Sequence, residues 1–330
     1  MDLNYTDAGY VPQGIITDGE LDMAFGRDEN NFELSVDIND PCCVVQGLIY
    51  MEDTGQDGKV MHTEYGGIID GMRVDTEENV VIFCGRTWHG IMEGKILSPD
   101  SGEDYLILSG EANAVLQGAI DRMDLGNLFM ASEEDSGIVI DSYKMDRYVG
   151  GYTGIRKMLS SAGAKLQIRY SSGKVILAAV PAIDYSQDEE WDSNQMNFVI
   201  ENNVRPTNHL VCLGKGDLKD RAVLHLYADA DGNISRTQTF FGINEVAGTY
   251  DYSSVESEEE LEKNGREQLQ KLLDAAQSLE TSLDNSMAYD IDDIVGAKEV
   301  VTGTQVRCRI TKKIVKVNKN GLSIECQIGE

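Results

Sequence analysis

Apolar and polar residues alternate with a period of two through much of the first hundred positions. Phe32-Glu33-Leu34-Ser35-Val36-Asp37-Ile38 is the clearest run, and it predicts a strand with one buried and one wet face. Val44 to Met51 predicts a more apolar strand. Asp53-Thr54-Gly55-Gln56-Asp57-Gly58 is a turn cluster. Glu64 to Val74 and Val80 to Cys84 continue the meander through a polar turn at 75–79. Gly85-Arg86-Thr87-Trp88-His89-Gly90-Ile91-Met92 then opens a helix, with Thr87 placed to cap it. Strands of this kind bury their apolar faces in a small antiparallel barrel or sandwich.

The period changes between Ser98 and Asp184. Residues 113–123 set Val115, Ala119, Ile120 and Met123 on one helical face, and 153–162 do the same with Ile155, Met158, Leu159 and Ala162 ahead of Gly163. A hairpin follows, 164–170 and 174–179, turning at Ser171-Ser172-Gly173. An acidic joint, 188–192, leads to strands at 196–201 and 209–213. The next hairpin pairs 221–228 with 233–241 around Asp229-Ala230-Asp231-Gly232. Ser257 and Glu260 form a capping box for a helix whose stripe is Leu261, Leu269, Leu272, Leu273 and Ala276. Gly265 costs that helix ~1 kcal/mol relative to Ala, which predicts close packing at that point. In the last strand pair Val306, Cys308 and Ile310 share a face. Past Lys312 the apolar phase slips to Val315 and Val317, which predicts a bulge. A turn at Asn318-Lys319-Asn320-Gly321 precedes Leu322, Ile324, Cys326 and Ile328, which alternate cleanly.

Composition narrows the function classes. The 33 Gly and 5 Pro fit a turn-rich, strand-rich chain. A formal net charge of −29 sets the surface against nucleic acid and anionic membrane. The six cysteines form no C-x-x-C pair, and Cys42 and Cys43 are adjacent, which suits reduced residues better than a zinc site or disulfide framework. No signal-peptide pattern is expected at Met1-Asp2-Leu3-Asn4-Tyr5. The longest nearly apolar run, Val175 to Ile183, is far short of the ~20 residues that span a bilayer.

Catalytic signatures are sparse. His62, His89, His209 and His225 are scattered and read as strand or surface histidines. Gly214-Lys215-Gly216 lacks the Ser or Thr of a phosphate loop, and Asp229-Ala230-Asp231-Gly232-Asn233 reads as a turn and not a calcium loop. Asp292 and Asp293 are neighbours that would point to opposite faces of a strand, so they are poorly placed to share a proton. No metal, cofactor or catalytic residue is expected. One charge feature stands out: Arg307, Arg309, Lys312, Lys313 and Lys316 crowd a short stretch of an acidic chain. They form either a solvated strand face or a strip that docks on the acidic surface of a neighbouring subunit.

Four segments together resemble the siphophage tail-hub family, the tail-tip group that includes the baseplate hub and the N-terminal hub part of tail-associated proteins. They are Asn31-Phe32-Glu33-Leu34; Gly67-Ile68-Ile69-Asp70 with Val81-Ile82-Phe83-Cys84-Gly85-Arg86-Thr87-Trp88; Asn208-His209-Leu210-Val211-Cys212-Leu213-Gly214-Lys215-Gly216-Asp217-Leu218-Lys219-Asp220-Arg221; and the ending from Tyr289. At that ending the family usually carries Gly-Asp before Ile-Val, where this chain has Asp292-Asp293.

The resemblance implies a mainly β protein with α+β parts: two tail-tube-like antiparallel β-barrels, an intervening α+β unit and a helical insertion. The corresponding division is 1–97 for the first barrel, 98–190 for the α+β unit, 191–250 with 283–330 for the second barrel, and 251–282 for the acidic insertion. It also implies a non-enzymatic homotrimeric ring in the virion tail, assembled in a bacterial cytoplasm. That ring would contact the tail-tube or distal tail protein on one side and tip or fibre proteins on the other, while DNA passes through without specific binding. A tail-tip carbohydrate-binding protein or cell-wall hydrolase is the rival reading.

Overall fold

In the computed structural model, residues 2–54, 60–187, 190–192, 199–203, 205–255, 257–280, 289–319 and 321–328 are described. The chain forms two compact units: residues 1–184, 282–293 and 310–327 make the first, and 185–281, 294–309 and 328–330 the second. The fold is mainly β, with helices attached to both units.

Strands in the first unit follow one another by hydrogen bonding in a fixed order. It runs from the 321–327 segment and the 310–318 segment through Glu20–Gly26, Asn31–Asp37, Val80–Thr87, Val60–Asp75, Leu48–Thr54 and Asp2–Thr6 to Pro12–Ile15. Among the described residues this path stays open. The alternation read at 32–38 is real: Phe32, Leu34 and Val36 are buried, and Glu33 and Asp37 are exposed. The strand expected from Val44 begins only at Leu48; Val44 and Val45 lie before it and are exposed. The turn cluster at 53–58 falls largely outside the described residues, and of the acidic joint at 188–192 the described part, Glu190–Asp192, is a short strand parallel to 296–298.

Thr87 caps α1 (Trp88–Glu93), its hydroxyl accepting from the Gly90 amide. Glu111 caps α2 (Ala112–Arg122), accepting from the Asn113 and Ala114 amides at 3.0 and 2.7 Å. The third helix, α3 (Gly151–Ser161), ends before Gly163, which takes the positive φ of +69° that glycine adopts without penalty. The hairpin of Ala164–Ser171 and Lys174–Pro181 pairs as expected, and Phe129–Ala131 adds to it in parallel. The apolar faces of α2, α3 and this hairpin close one core around Trp88, Leu116, Ile155, Met158 and Leu177. A second core, under the long sheet, holds Phe25, Phe32, Leu34, Phe83 and Val315.

In the second unit His209–Leu213 lies between Val223–Ala228, antiparallel, and Ala247–Asp251, parallel. The hairpin partner expected over 233–241 shrinks to Ile234–Ser235; the chain then loops and returns as the strand Ala247–Asp251. Helix α4 (Glu258–Asp274) starts at Ser257, whose hydroxyl accepts from the Glu260 amide. It packs Leu261 and Leu269 on Leu210, Cys212, Leu224 and Leu226. Gly265 is the contact point: a Cβ there would stand 2.5 Å from Cys212 Sγ and 2.8 Å from Leu226 Cδ1.

The strand Gln305–Asn318 shows no bulge in the two pairings described here. Residues 305–309 pair with Ile294–Lys298, and 312–317 pair with 21–26, each in unbroken register. The buried phase instead switches between Ile310 and Thr311, which are both buried and are the first residues after the strand passes from the second unit to the first.

Gly265→Val tests the helix contact. Helix propensity alone predicts little change or a small gain. The close approach predicts a loss of about 1–3 kcal/mol through overpacking, read as a shift in the urea midpoint of the second unit.

A buried ion-pair network as the candidate functional site

The segment Tyr289 to Asp293 is a turn, closed by the Asp293 amide donating to the Asp290 carbonyl at 3.1 Å. Its sequence puts three carboxylates into four residues, and the fold buries Asp292 and Asp293 almost completely, at 4% and 0% exposure. Burial on this scale is tolerable only with cations and donors in reach.

Two lysines from distant strands supply the charge. Lys165 Nζ lies 2.7 Å from Asp293 Oδ2 and 3.0 Å from Asp290 Oδ2. Lys313 Nζ lies 2.7 Å from Asp290 Oδ1 and 2.5 Å from Glu64 Oε1. Asp290 therefore bridges the two ammoniums with its two oxygens. Backbone donors complete Asp293: the Asp290 amide reaches Oδ2 at 2.9 Å and the Ile183 amide reaches Oδ1 at 2.8 Å. Asp292 turns away to a third cation, Arg156 on α3, whose Nε is 3.1 Å from Oδ2. The adjacent carboxylates thus serve different cations and share nothing.

Asp292 sits at φ +71°, in the left-handed region. This is the position where the tail-hub resemblance expects glycine. Aspartate is among the few residues that reach this region at modest cost, and the Arg156 pair holds it there. The turn is then tied to the returning strand, the Asp292 amide donating to Ile310 O and the Ile310 amide to Asp293 O, both at 2.9 Å.

The electrostatics follow from burial set against neighbouring charge. Burial opposes ionisation of Asp290, but Lys313 and Lys165 outweigh it and hold the carboxyl below its ordinary value of 3.8. Burial pushes Glu64 above its ordinary 4.5, and Lys313 offsets this only in part. Burial disfavours both ammoniums, yet the surrounding carboxylates raise Lys165 and Lys313 above 10.5. His89 lies beside the network, stacked on Phe25 at 4.5 Å and edge-on to Tyr152 at 4.9 Å. Burial, with help from Lys313, pushes it down to about 3, so it is neutral. Trp88 Nε1 and His89 Nδ1 are the buried side-chain atoms without a hydrogen-bond partner among the described residues.

The five residues of the basic strip divide accordingly. Lys313, expected on the surface, is 4% exposed and locked in the network, so it cannot dock a neighbour. The reason is the phase switch at 310–311, which turns Lys313 inward with Val315. Lys312 is half-buried and pairs with Glu29, and Lys316 is exposed and reaches Asp22 at 3.4 Å. Arg307 and Arg309 are exposed on the segment belonging to the second unit, Arg307 Nε donating to Ser186 Oγ at 3.2 Å. Sequence reasoning missed the network because Lys165 lies 125 residues from Asp290. The available signal was the even spacing of Lys313, Val315 and Val317.

Chemically the arrangement is saturated: each carboxylate is engaged by an ammonium, a guanidinium or backbone amides. Such an arrangement holds its members in position.

Lys313→Met should cost about 3–5 kcal/mol at pH 7, because it leaves Glu64 buried without its cation and Asp290 with Lys165 alone. That cost should shrink in urea titrations at pH 4.5, where protonation removes the uncompensated charge. An equal cost at both pH values would contradict this. In the wild-type chain the sign differs by group. The Asp290 contribution is present above pH 3.8 and lost as pH falls through its lower folded value. The lysine contributions are present below pH 10.5 and lost as pH rises through their higher folded values. Glu64 opposes Asp290, favouring the folded state below pH 4.5. Relative to Lys313→Met, the wild-type advantage should therefore fade at both extremes of pH.

No known family profile matches the chain, and no curated protein matches it by sequence. Solved structures do match by fold. The tail protein from Neisseria meningitidis MC58 is similar with a TM-score of 0.55 at 12% identity, covering 100% of this chain and 96% of that one. The 43 kDa tail protein of prophage MuSo2 from Shewanella oneidensis gives 0.59 at 11% identity, covering 99% and 98%. Prophage tail protein gp18 from Listeria monocytogenes EGD-e gives 0.54 at 11% identity, covering 100% and 94%. At these identities the likeness is one of fold, and the fold is that of phage and prophage tail proteins.

Proposed function

We propose that the chain is a structural hub protein of a phage or prophage tail tip, without enzymatic activity. Three copies would form a ring that joins the tail tube to tip proteins and leaves a channel for DNA. The observation that carries this reading is the fold likeness to tail proteins over 94–98% of their lengths and 99–100% of this chain. A partial likeness would fit a shared domain; an end-to-end one fits a shared role. The two-barrel architecture, and the division at 97, 190, 250 and 282, belong to the same proposal.

Charge supports it. A net −29 lets a polyanion pass a ring by like-charge repulsion. Docking between copies would draw on the exposed members of the basic strip, Arg307, Arg309 and Lys316. Facing an acidic neighbour, such residues would speed and orient association more than they deepen it.

Electron microscopy of the purified protein, alone and with its tail-tube partner, should show three-fold rings with a central hole. Stable monomers under both conditions, with no ring, would overturn the proposal. Arg307→Glu with Arg309→Glu should reduce ring formation and leave the urea midpoint unchanged; undiminished rings would make the strip a solvated face.

A further inference from the structure

The second unit holds a cluster that its fold and its proposed role leave unused. His209 and His225 are 16 residues apart in sequence, on neighbouring antiparallel strands. The register sets His209 opposite Tyr227 and Val211 opposite His225, so the two histidines lie diagonally on one face of the sheet. That face is opposite the one where Leu210, Cys212, Leu224 and Leu226 meet α4. His209 Nε2 and His225 Nδ1 approach to 2.8 Å.

Glu245 decides which nitrogen carries the proton. Its Oε1 is 2.6 Å from His209 Nδ1. A carboxylate accepts, so Nδ1 of His209 is protonated and Nε2 presents a lone pair, which accepts from Nδ1–H of His225. His209 is 9% exposed and its ring stacks on Tyr227 at 4.3 Å, so its orientation is fixed. Asn208 holds the Glu245 loop in place: its side chain donates to Asn244 O at 2.9 Å and accepts from the Val246 amide at 3.0 Å. His225, by contrast, is exposed.

A carboxylate behind a clamped imidazole, with a second imidazole converging on its free nitrogen, is the arrangement that prepares histidines for a metal. We propose that His209 and His225 bind a divalent transition-metal ion of the zinc class, with Glu245 orienting His209 from behind. Among the described residues no group of three or more His, Cys, Asp or Glu gathers as a metal cage, so the site offers two protein ligands and leaves the remaining positions to water. Two nitrogens each ~2.0–2.1 Å from a tetrahedral ion stand roughly 3.3 Å apart, so the rings need to part by about half an ångström. His225, being exposed, can make that adjustment. The proton balance is simple: His225 moves its proton from Nδ1 to Nε2 through solvent, both rings stay neutral, and none is released. The metal replaces the shared proton between the rings.

Calorimetric titration of the whole chain with zinc chloride, in excess magnesium to occupy surface carboxylates, tests this. One zinc ion per chain is expected. His225→Ala should abolish that site, Glu245→Gln should weaken it about 10–100-fold, and His62→Ala should leave it unchanged. Imidazole nitrogen spectra of the wild-type protein should show His225 passing from the Nδ1–H to the Nε2–H tautomer as zinc is added, a readout that does not depend on any variant folding. The absence of zinc binding in the wild type, or binding undiminished in His225→Ala, would overturn the proposal.

Discussion

A buried ammonium or carboxylate is tolerable only when its counter-charge is buried with it, in geometry that satisfies the remaining hydrogen bonds. The turn at 290–293 meets that condition by gathering cations from three separate elements. Lys165 comes from the hairpin, Arg156 from α3 and Lys313 from the returning strand, while Glu64 reaches in from the long meander strand. An apolar core of the same volume would accept many small displacements. Ion pairs at 2.5–3.1 Å do not, because losing one partner strands another. The network therefore fixes the register of the C-terminal strand against the first sheet more sharply than hydrophobic contact would.

That constraint acts at both ends of one excursion of the chain. The chain leaves the first unit directly after Asp293 and re-enters it at Ile310, so the turn and the returning strand anchor both ends of the 294–309 excursion. The acidic surface does different work: it bears on what the protein repels, not on how the chain folds.

Local signals carried much of the fold. Thr87 and Ser257 were legible as caps because a hydroxyl three residues ahead of an amide needs no tertiary information. Gly265 announced a close helix contact because glycine inside a helix has a cost that packing must offset. The hairpin at 164–181 followed from its period and its Ser-Ser-Gly turn. The strand Ala247–Asp251 did not, because it pairs in parallel with a strand 38 residues earlier and carries glycine and aspartate in place of branched apolar residues. Lys313 misled for a related reason. Its charge grouped it with Arg307 and Arg309, whereas its parity grouped it with Val315 and Val317, and the buried carboxylates that make parity win are distant in sequence. The likeness to tail proteins was legible as an order of motifs while identity stayed near 11–12%, which is why fold comparison detects it and sequence profiles do not.

The central claim is that mutual compensation, and not individual contacts, holds the network together. A double-mutant cycle on Lys313 and Glu64 measures that directly by urea unfolding at neutral pH. If the account is right, Lys313→Met combined with Glu64→Gln is more stable than Lys313→Met alone, with a coupling energy of about 1–3 kcal/mol. Additive losses, within about 0.5 kcal/mol, would mean the two charges are buried independently and would contradict the account.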